Sequence, residues 1–146
     1  MRSQYLQSLS KDELGHALQF GRFWLRDEQL APGGDWRIWL LLGGRGAGKT
    51  LAGAHFIEER IRLGLARNAG VIGATFNDTR AVMIEGESAL MRFCEDATFE
   101  PSNRRIKWPN GAVATVLSAD EPDSLRVHPF VAFWLDEVCT LFVQQV

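Results

Sequence analysis

The residues with the clearest chemical meaning form a glycine-rich stretch, GGRGAGKT, at positions 43–50. Gly43, Gly48, Lys49 and Thr50 complete the pattern G-x-x-x-x-G-K-[ST], which is typical of a phosphate-binding P-loop between a strand and a helix. Glycines let backbone N–H groups turn towards phosphate oxygens, the helix start adds partial positive charge, and the threonine hydroxyl suits Mg²⁺. We call residues 43–50 the glycine loop. Its predicted nucleotide contacts are Gly43, Gly44, Arg45, Gly46, Ala47, Gly48, Lys49 and Thr50.

Two carboxylates follow an unbroken apolar run at residues 130–135. In open α/β sheets, ligands bind at the carboxyl ends of the strands, so Asp136 is the Walker B candidate that holds magnesium together with Thr50. Glu137 beside it is the candidate general base for the water that attacks the γ-phosphate. The alternative is a solvated Asp-Glu pair that merely ends a strand. The adjacent glutamate favours a motor-type ATPase over a GTPase switch or a small-molecule kinase.

Arg45 is an additional feature, because the loop pattern does not require an arginine. Within the loop its guanidinium can reach the γ-phosphate and stabilise the transition state in cis. Alternatively, it points to solvent or pairs with a carboxylate. Arg45 and Glu137 are therefore the predicted catalytic residues, and both interpretations of Arg45 stay open from the residues alone.

Composition excludes several classes of protein. The chain has 146 residues with 16 Lys+Arg and 18 Asp+Glu, so its net charge of −2 does not indicate a polyanion partner for the whole molecule. Cys94 and Cys139 have neither metal-site nor disulfide spacing, which predicts two small buried side chains in a reducing compartment. No apolar run approaches the roughly 20 residues that a bilayer requires. We expect a cytoplasmic, soluble protein of one domain.

The segments around these motifs predict an α/β domain with a mainly parallel sheet flanked by helices. Apolar residues predict strands at 37–42, 69–75 and 130–135, and a 3.6-residue periodicity predicts a helix over 49–67. Asn110-Gly111 predicts a β-hairpin over 104–117. Asp78 and Ser88 are candidate caps of short helices that extend to residues 84 and 94. A helical leader begins at the capping-box pattern Ser10 to Glu13.

Four segments in the same order resemble one known family. They read WLLLGGRGAGKTLAGAHFI, GVIGATFNDTRAVMIEG, PSNRRIKWPNGAVATVLSADEPDSLR and FWLDEV. Together they resemble the N-terminal ATPase region of the large terminase subunit of tailed bacteriophages and gene transfer agents, from about residue 24 to residue 138. The fold that this implies is a P-loop NTPase.

The resemblance implies an ATP- and Mg²⁺-dependent motor that threads double-stranded DNA into a procapsid in the cytoplasm of a bacterial host cell. Its partners would be the portal protein and the small terminase subunit, with a ring oligomer in the full-length protein and no membrane. Arg45 matches the loop position assigned to the γ-phosphate. Gln29 resembles the upstream glutamine that contacts adenine.

By this resemblance we expect a helical leader at 1–36 and a partial ATPase core at 37–146, with the C-terminal nuclease domain of the family absent from the chain. In this class, the strand that follows the Walker B carboxylates lies between that strand and the P-loop strand. Without it, we expect the two strands either to pair directly or to leave the P-loop strand uncovered. Two alternatives therefore remain: a truncated prophage remnant that binds nucleotide without productive hydrolysis, or a helicase-like P-loop ATPase fragment.

Overall fold

A computed structural model describes Ser10 and the ranges 25–126 and 129–136. Within them the chain is an α/β structure in which one long helix, α1 (Lys49–Arg62), packs on a five-stranded sheet. The strands are β1 (Asn68–Gly73), β2 (Thr98–Glu100), β3 (Arg105–Lys107), β4 (Val113–Ser118) and β5 (Ala132–Leu135). Their order is β2-β3-β4-β1-β5. The predicted α/β class is confirmed.

The sheet is mixed rather than mainly parallel. β1 pairs in parallel with β4 and with β5, whereas β3 pairs antiparallel with β2 and β4. The predicted hairpin is confirmed as β3 and β4. Its turn uses Gly111 at φ 84°, and the Trp108 N–H donates to the Ala112 carbonyl at 3.0 Å. The hairpin accounts for the antiparallel pairing of β3 with β4, because a short turn can only join antiparallel strands.

Helix α1 buries the expected face but is shorter than predicted. Ala54, Ile57 and Ile61 lie in the core against the sheet. The helix ends at Arg62 instead of near residue 67 because Gly64 adopts φ 70°, a left-handed conformation that terminates helices. No helix among the described residues is long and apolar enough to span a bilayer.

The predicted helical stretch to residue 84 is confirmed, but Asp78 stands at its N-cap position without a side-chain capping hydrogen bond, and Ser88 is not the N-cap of the second segment. Thr75 caps the first segment, since its hydroxyl oxygen accepts the Asp78 backbone N–H at 3.1 Å, and the helix is one turn, Phe76–Asp78, followed by a π-helical stretch, Thr79–Ile84. The second segment is a single 3-10 turn, Leu90–Arg92, preceded by Ala89. Of the predicted helical leader, 1–36, the structure describes Ser10 and residues 25–36, and within 25–36 the helical part is one 3-10 turn, Asp27–Gln29. The rest of the leader lies outside the described residues, and the boundary at residue 36 stays a prediction.

The predicted strand at 37–42 is not a strand. The segment has no regular secondary structure and joins no sheet within the described ranges, and Ile38, Leu40 and Leu42 are 84%, 63% and 79% exposed. The described sheet ends at β5, which has β1 on one side. An apolar run forms a strand only where a neighbouring strand accepts its backbone hydrogen bonds. The uncovered arrangement, not direct pairing with β5, is therefore the one that the structure adopts.

Aromatic side chains fasten the start of this segment to α1. The rings of Trp36 and Trp39 lie 5.9 Å and 6.1 Å from the ring of Phe56, measured between centroids. The Arg60 guanidinium lies 5.5 Å from the Trp36 centroid and 5.3 Å from that of Phe56. These contacts bury apolar ring surface and add cation-π attraction. Among the described residues, the segment is thus held by its tryptophans rather than by sheet pairing.

Hydrogen bonds to Glu58 connect α1 to other parts of the fold. Its Oε2 accepts hydrogen bonds from Trp108 Nε1 and from Cys94 Sγ, both at 2.8 Å. Its Oε1 accepts from Arg62 Nε at 2.5 Å, and Arg62 Nη1 donates to Asp96 at 2.7 Å. The hydrogen bond from Arg62 lowers the pKa of the Asp96 carboxyl. One carboxylate therefore connects the helix, the segment before β2 and the hairpin.

Cys94 is fully buried, as predicted, and remains a thiol in this cluster. Burial raises the pKa of the Cys94 thiol well above its usual range, and the charge of Glu58 raises it further. A protonated thiol donates a hydrogen bond but is a poor nucleophile and a poor metal ligand. Cys139 lies outside the described residues.

The stability of the β2–β3 pair is expected to depend on pH through Glu100. Glu100 Oε2 accepts from Arg105 Nε at 2.7 Å and from Asn103 Nδ2 at 2.9 Å, and Oε1 pairs with Lys107 Nζ at 2.7 Å. Lys107 foremost, with Arg105 and Asn103, lowers the pKa of Glu100 from 4.5 to about 2. Because the folded pKa is depressed, this stabilisation is complete above pH 4.5 and disappears as the pH falls towards 2.

We therefore expect the thermal midpoint of unfolding, followed by circular dichroism, to fall as the pH is lowered from 4.5 to about 2. Glu100→Gln removes the titrating group, so its midpoint should change less over this interval. Identical pH profiles of the two proteins would contradict the assignment.

Candidate functional site

The glycine loop follows the segment at 37–42 and contains the first two residues of α1, Lys49 and Thr50. Gly46 and Gly48 both have φ 78°, which residues with a Cβ atom rarely adopt. The Ala47 N–H donates to the Gly44 carbonyl at 3.2 Å, which closes a turn inside the loop. Gly48 is the N-cap of α1, and its carbonyl accepts the Ala52 N–H at 3.0 Å. The loop therefore turns directly into the start of a 14-residue helix.

Lys49 folds back across the loop. Its Nζ donates to the carbonyls of Gly43 at 2.8 Å and Gly44 at 3.0 Å. Both of these acceptors are neutral, so they position the ammonium at the start of the loop without cancelling its charge. Positive charge, a helix N-terminus and left-handed glycines thus occur together, a combination suited to an anion.

The remaining predicted loop residues are placed by the same turn. Arg45 is exposed at the tip of the loop, and Thr50 is half-buried in the first turn of α1. The contact between α1 and β5 brings this turn beside the end of β5, because a Cβ at Gly53 would lie 2.1 Å from Trp134. Thr50 lies one turn before Gly53 and Asp136 lies two residues after Trp134, which places both at the same end of the helix–strand contact.

Asp136 extends the pairing of β5 with β1, since its N–H donates to the Ile72 carbonyl at 3.1 Å. It lines a cavity of about 140 Å³ together with Gly73, Ala74, Asp78, Thr79, Val82 and Met83. Asp78 was not among the predicted site residues. The signal that identifies it is its position just after β1, because the carboxyl ends of adjacent parallel strands meet at one edge of the sheet. Glu137 lies outside the described residues, and its predicted role stays a prediction.

Gln29 is 6% exposed and lies beneath the loop. Its Nε2 donates to the carbonyls of Ala47 and Gly48, both at 3.2 Å. Arg26, which was not predicted, donates from Nη2 to the same Ala47 carbonyl at 2.8 Å. Both residues border a cavity of about 330 Å³ whose other lining residues are Glu28, Leu41, Leu42 and Ala47. The structure therefore brings Gln29 to the loop, while its predicted contact with adenine stays a prediction.

Comparison with family models decides what kind of protein carries this loop. A model described as "Terminase large subunit, T4likevirus-type, N-terminal" matches residues 40–145, which is more than half of the chain. The chain belongs to this family. Searches against curated proteins and against solved structures gave no match.

The matched part of this terminase chain contains the glycine loop, α1 and the five described strands, together with Asp136 and Glu137. Membership in the family indicates a role in DNA packaging. The turn that contains Arg26 and Gln29 precedes the matched range, so the family match says nothing about these two residues.

Proposed function

We propose that this terminase chain binds Mg-ATP at the glycine loop and hydrolyses it as the motor module of DNA packaging, with a P-loop NTPase core. The single observation that carries the proposal is the loop geometry. Two glycines at φ 78° lead into α1, and the Lys49 ammonium lies across the start of the loop. This arrangement supplies backbone N–H groups, a helix terminus and a full positive charge to one polyphosphate.

The magnesium would be held by the Thr50 hydroxyl and the Asp136 carboxylate. A hydroxyl and a carboxylate are oxygen donors of the kind that Mg²⁺ prefers, and this ion commonly takes only one or two protein ligands beside the phosphates. When bound, it would neutralise charge on the β- and γ-phosphate oxygens. The donor set of the structure therefore fits the ion.

Hydrolysis in this proposal uses two further side chains. The Glu137 carboxylate accepts a proton from water, the water oxygen bonds to the γ-phosphorus, and the bond from that phosphorus to the β-phosphate oxygen breaks to release ADP. The Arg45 guanidinium stabilises the charge on the transferred group. Double-stranded DNA, the portal protein and the small terminase subunit would be the partners in the host cytoplasm, with ring assembly in the full-length protein.

A second candidate is nucleotide binding without productive hydrolysis. It is favoured by the segment at 37–42, which leads into the glycine loop and, among the described residues, pairs with no strand. A loop that is supported on one side only can bind phosphate yet fail to hold the attacking water in line. Catalysis is sensitive to displacements of about 1 Å, whereas charge attraction is not.

The test combines calorimetric titration of Mg-ATP with measurement of phosphate release in the same preparation. We expect binding in both the unaltered chain and Glu137→Gln, and at least about 100-fold slower phosphate release in the variant, which is a typical loss for a general base. Binding without release in the unaltered chain would select the second candidate. Absence of binding in a folded chain would contradict both.

A further inference from the structure

We propose that Arg26 and Gln29 are positioning residues of the glycine loop, which set the direction of the two peptide N–H groups at its end. This inference rests on the proposed function, because it concerns how the same loop receives a phosphate. Neither residue needs to touch the phosphate. They act through the carbonyls of Ala47 and Gly48.

The two side chains belong to a turn that is fixed by its own hydrogen bonds. The Gln29 N–H donates to the Arg26 carbonyl at 2.9 Å, and the Arg26 N–H donates to Gln29 Oε1 at 2.9 Å. Gln29 is almost fully buried, so its amide has little freedom to rotate. The turn therefore presents the Gln29 amide in one orientation towards the loop.

The Gln29 amide nitrogen has two acceptors in the loop, as many as it has hydrogens. A primary amide has two N–H hydrogens, and the Nε2 of Gln29 contacts two acceptors, the Ala47 and Gly48 carbonyls. The fit is close, because a Cβ at Gly48 would lie 2.1 Å from that nitrogen. Two features therefore require glycine at position 48: its left-handed φ, and the Gln29 amide, which leaves no room for a Cβ atom.

Because peptide bonds are planar and trans, contacts to the carbonyls also set the direction of the following N–H groups. In a trans peptide, the carbonyl and the following N–H point in opposite directions. The described backbone contains no cis peptide. Holding the Ala47 and Gly48 carbonyls against Gln29 therefore directs the Gly48 and Lys49 N–H groups to the opposite side of the loop. The Gly48 N–H belongs to the N-cap residue of α1 and the Lys49 N–H to its first residue. An anion is favoured at this end of a helix.

This role differs from reading adenine in a way that can be measured. A group that sets the phosphate-binding N–H groups affects every ligand that has the same phosphates, whatever base it carries. A group that reads adenine affects only ligands that contain adenine. Because both Nε2 and Oε1 of Gln29 already have hydrogen-bond partners within the protein, we expect the first behaviour.

The experiment measures the affinities of Mg-ATP, Mg-GTP and Mg-tripolyphosphate for the unaltered chain, Gln29→Met and Arg26→Met. Methionine keeps the length of glutamine but donates no hydrogen bond. We expect Gln29→Met to weaken all three ligands by a similar factor of about 10, because two part-buried hydrogen bonds are lost, and Arg26→Met by about 3, because its single hydrogen bond is exposed to solvent. The matched control is Arg92→Met, an exposed arginine outside the site, which should change nothing.

Two results would overturn the inference alone. One is a loss of Mg-ATP affinity in Gln29→Met with unchanged binding of tripolyphosphate, which would make Gln29 an adenine contact. The other is unchanged binding of all three ligands in both folded variants. If Gln29→Met does not fold, the test uses Arg26→Met, a change at an exposed residue. An unaltered melting midpoint of that variant shows that its effect on affinity is not general destabilisation. If the unaltered chain binds none of the ligands, the proposed function fails as well.

Discussion

Lys49→Ala is expected to weaken Mg-ATP binding by about 100-fold and to abolish phosphate release. The ammonium lies across the start of the loop, held by the Gly43 and Gly44 carbonyls, and a charged hydrogen-bond donor to phosphate contributes up to about 3 kcal/mol. Alanine is a strong helix former, so the first turn of α1 should persist. Calorimetric titration of the folded variant measures the loss directly.

The matched control for this change is Lys107→Ala. Lys107 lies on β3, on the side of the sheet away from β5, and pairs with Glu100. Its removal takes away the same charge from the molecule without touching the loop, so affinity for Mg-ATP should stay within about twofold, since screening weakens distant exposed charges. Equal losses in the two variants would show that net charge, rather than the position of Lys49, determines binding.

Glu58→Ala is expected to lower the free energy of unfolding by about 3 kcal/mol. The change leaves the buried Trp108 N–H without its acceptor and removes the partner of Cys94 and Arg62, and unsatisfied buried donors cost about 1–3 kcal/mol each. Urea unfolding followed by circular dichroism gives the value. The control is Glu95→Ala, a change at an exposed glutamate that should cost no more than about 0.5 kcal/mol.

A double-mutant cycle assigns the loss to the contact with Trp108. Trp108→Phe removes the N–H donor, so the cost of Glu58→Ala should be smaller in that background than in the unaltered chain. If the two changes were strictly additive, the 2.8 Å hydrogen bond would contribute nothing measurable. The cost of Glu58→Ala would then come from its contacts with Cys94 and Arg62.

The features that sequence predicts well are those that a few neighbouring residues determine. Asn110-Gly111 is enough to form the hairpin turn, because Gly111 takes the positive φ that the turn requires. Gly64 ends α1 for the same kind of reason, although the apolar periodicity continues to Leu65 and suggested a longer helix. The error lay in giving the periodicity more weight than the glycine.

Features that depend on distant partners were predicted poorly. Residues 37–42 have the composition of a strand, but pairing depends on whether another strand lies alongside, which composition does not specify. In the site, the loop residues follow from their local pattern. Gln29 contacts Ala47 and Gly48, which lie 18 and 19 residues further along the chain. No sequence motif at Arg26 predicts its contact with the loop.

The segment at 37–42 also bears on how the chain is expected to behave at high concentration. Ile38, Leu40 and Leu42 are exposed and alternate along the segment, and the next charged residue along the chain is Arg45. An apolar segment that pairs with no strand within the described residues is a candidate for edge-to-edge pairing with another molecule. The stretch that leads into the glycine loop is therefore also the stretch through which we expect copies of the chain to associate.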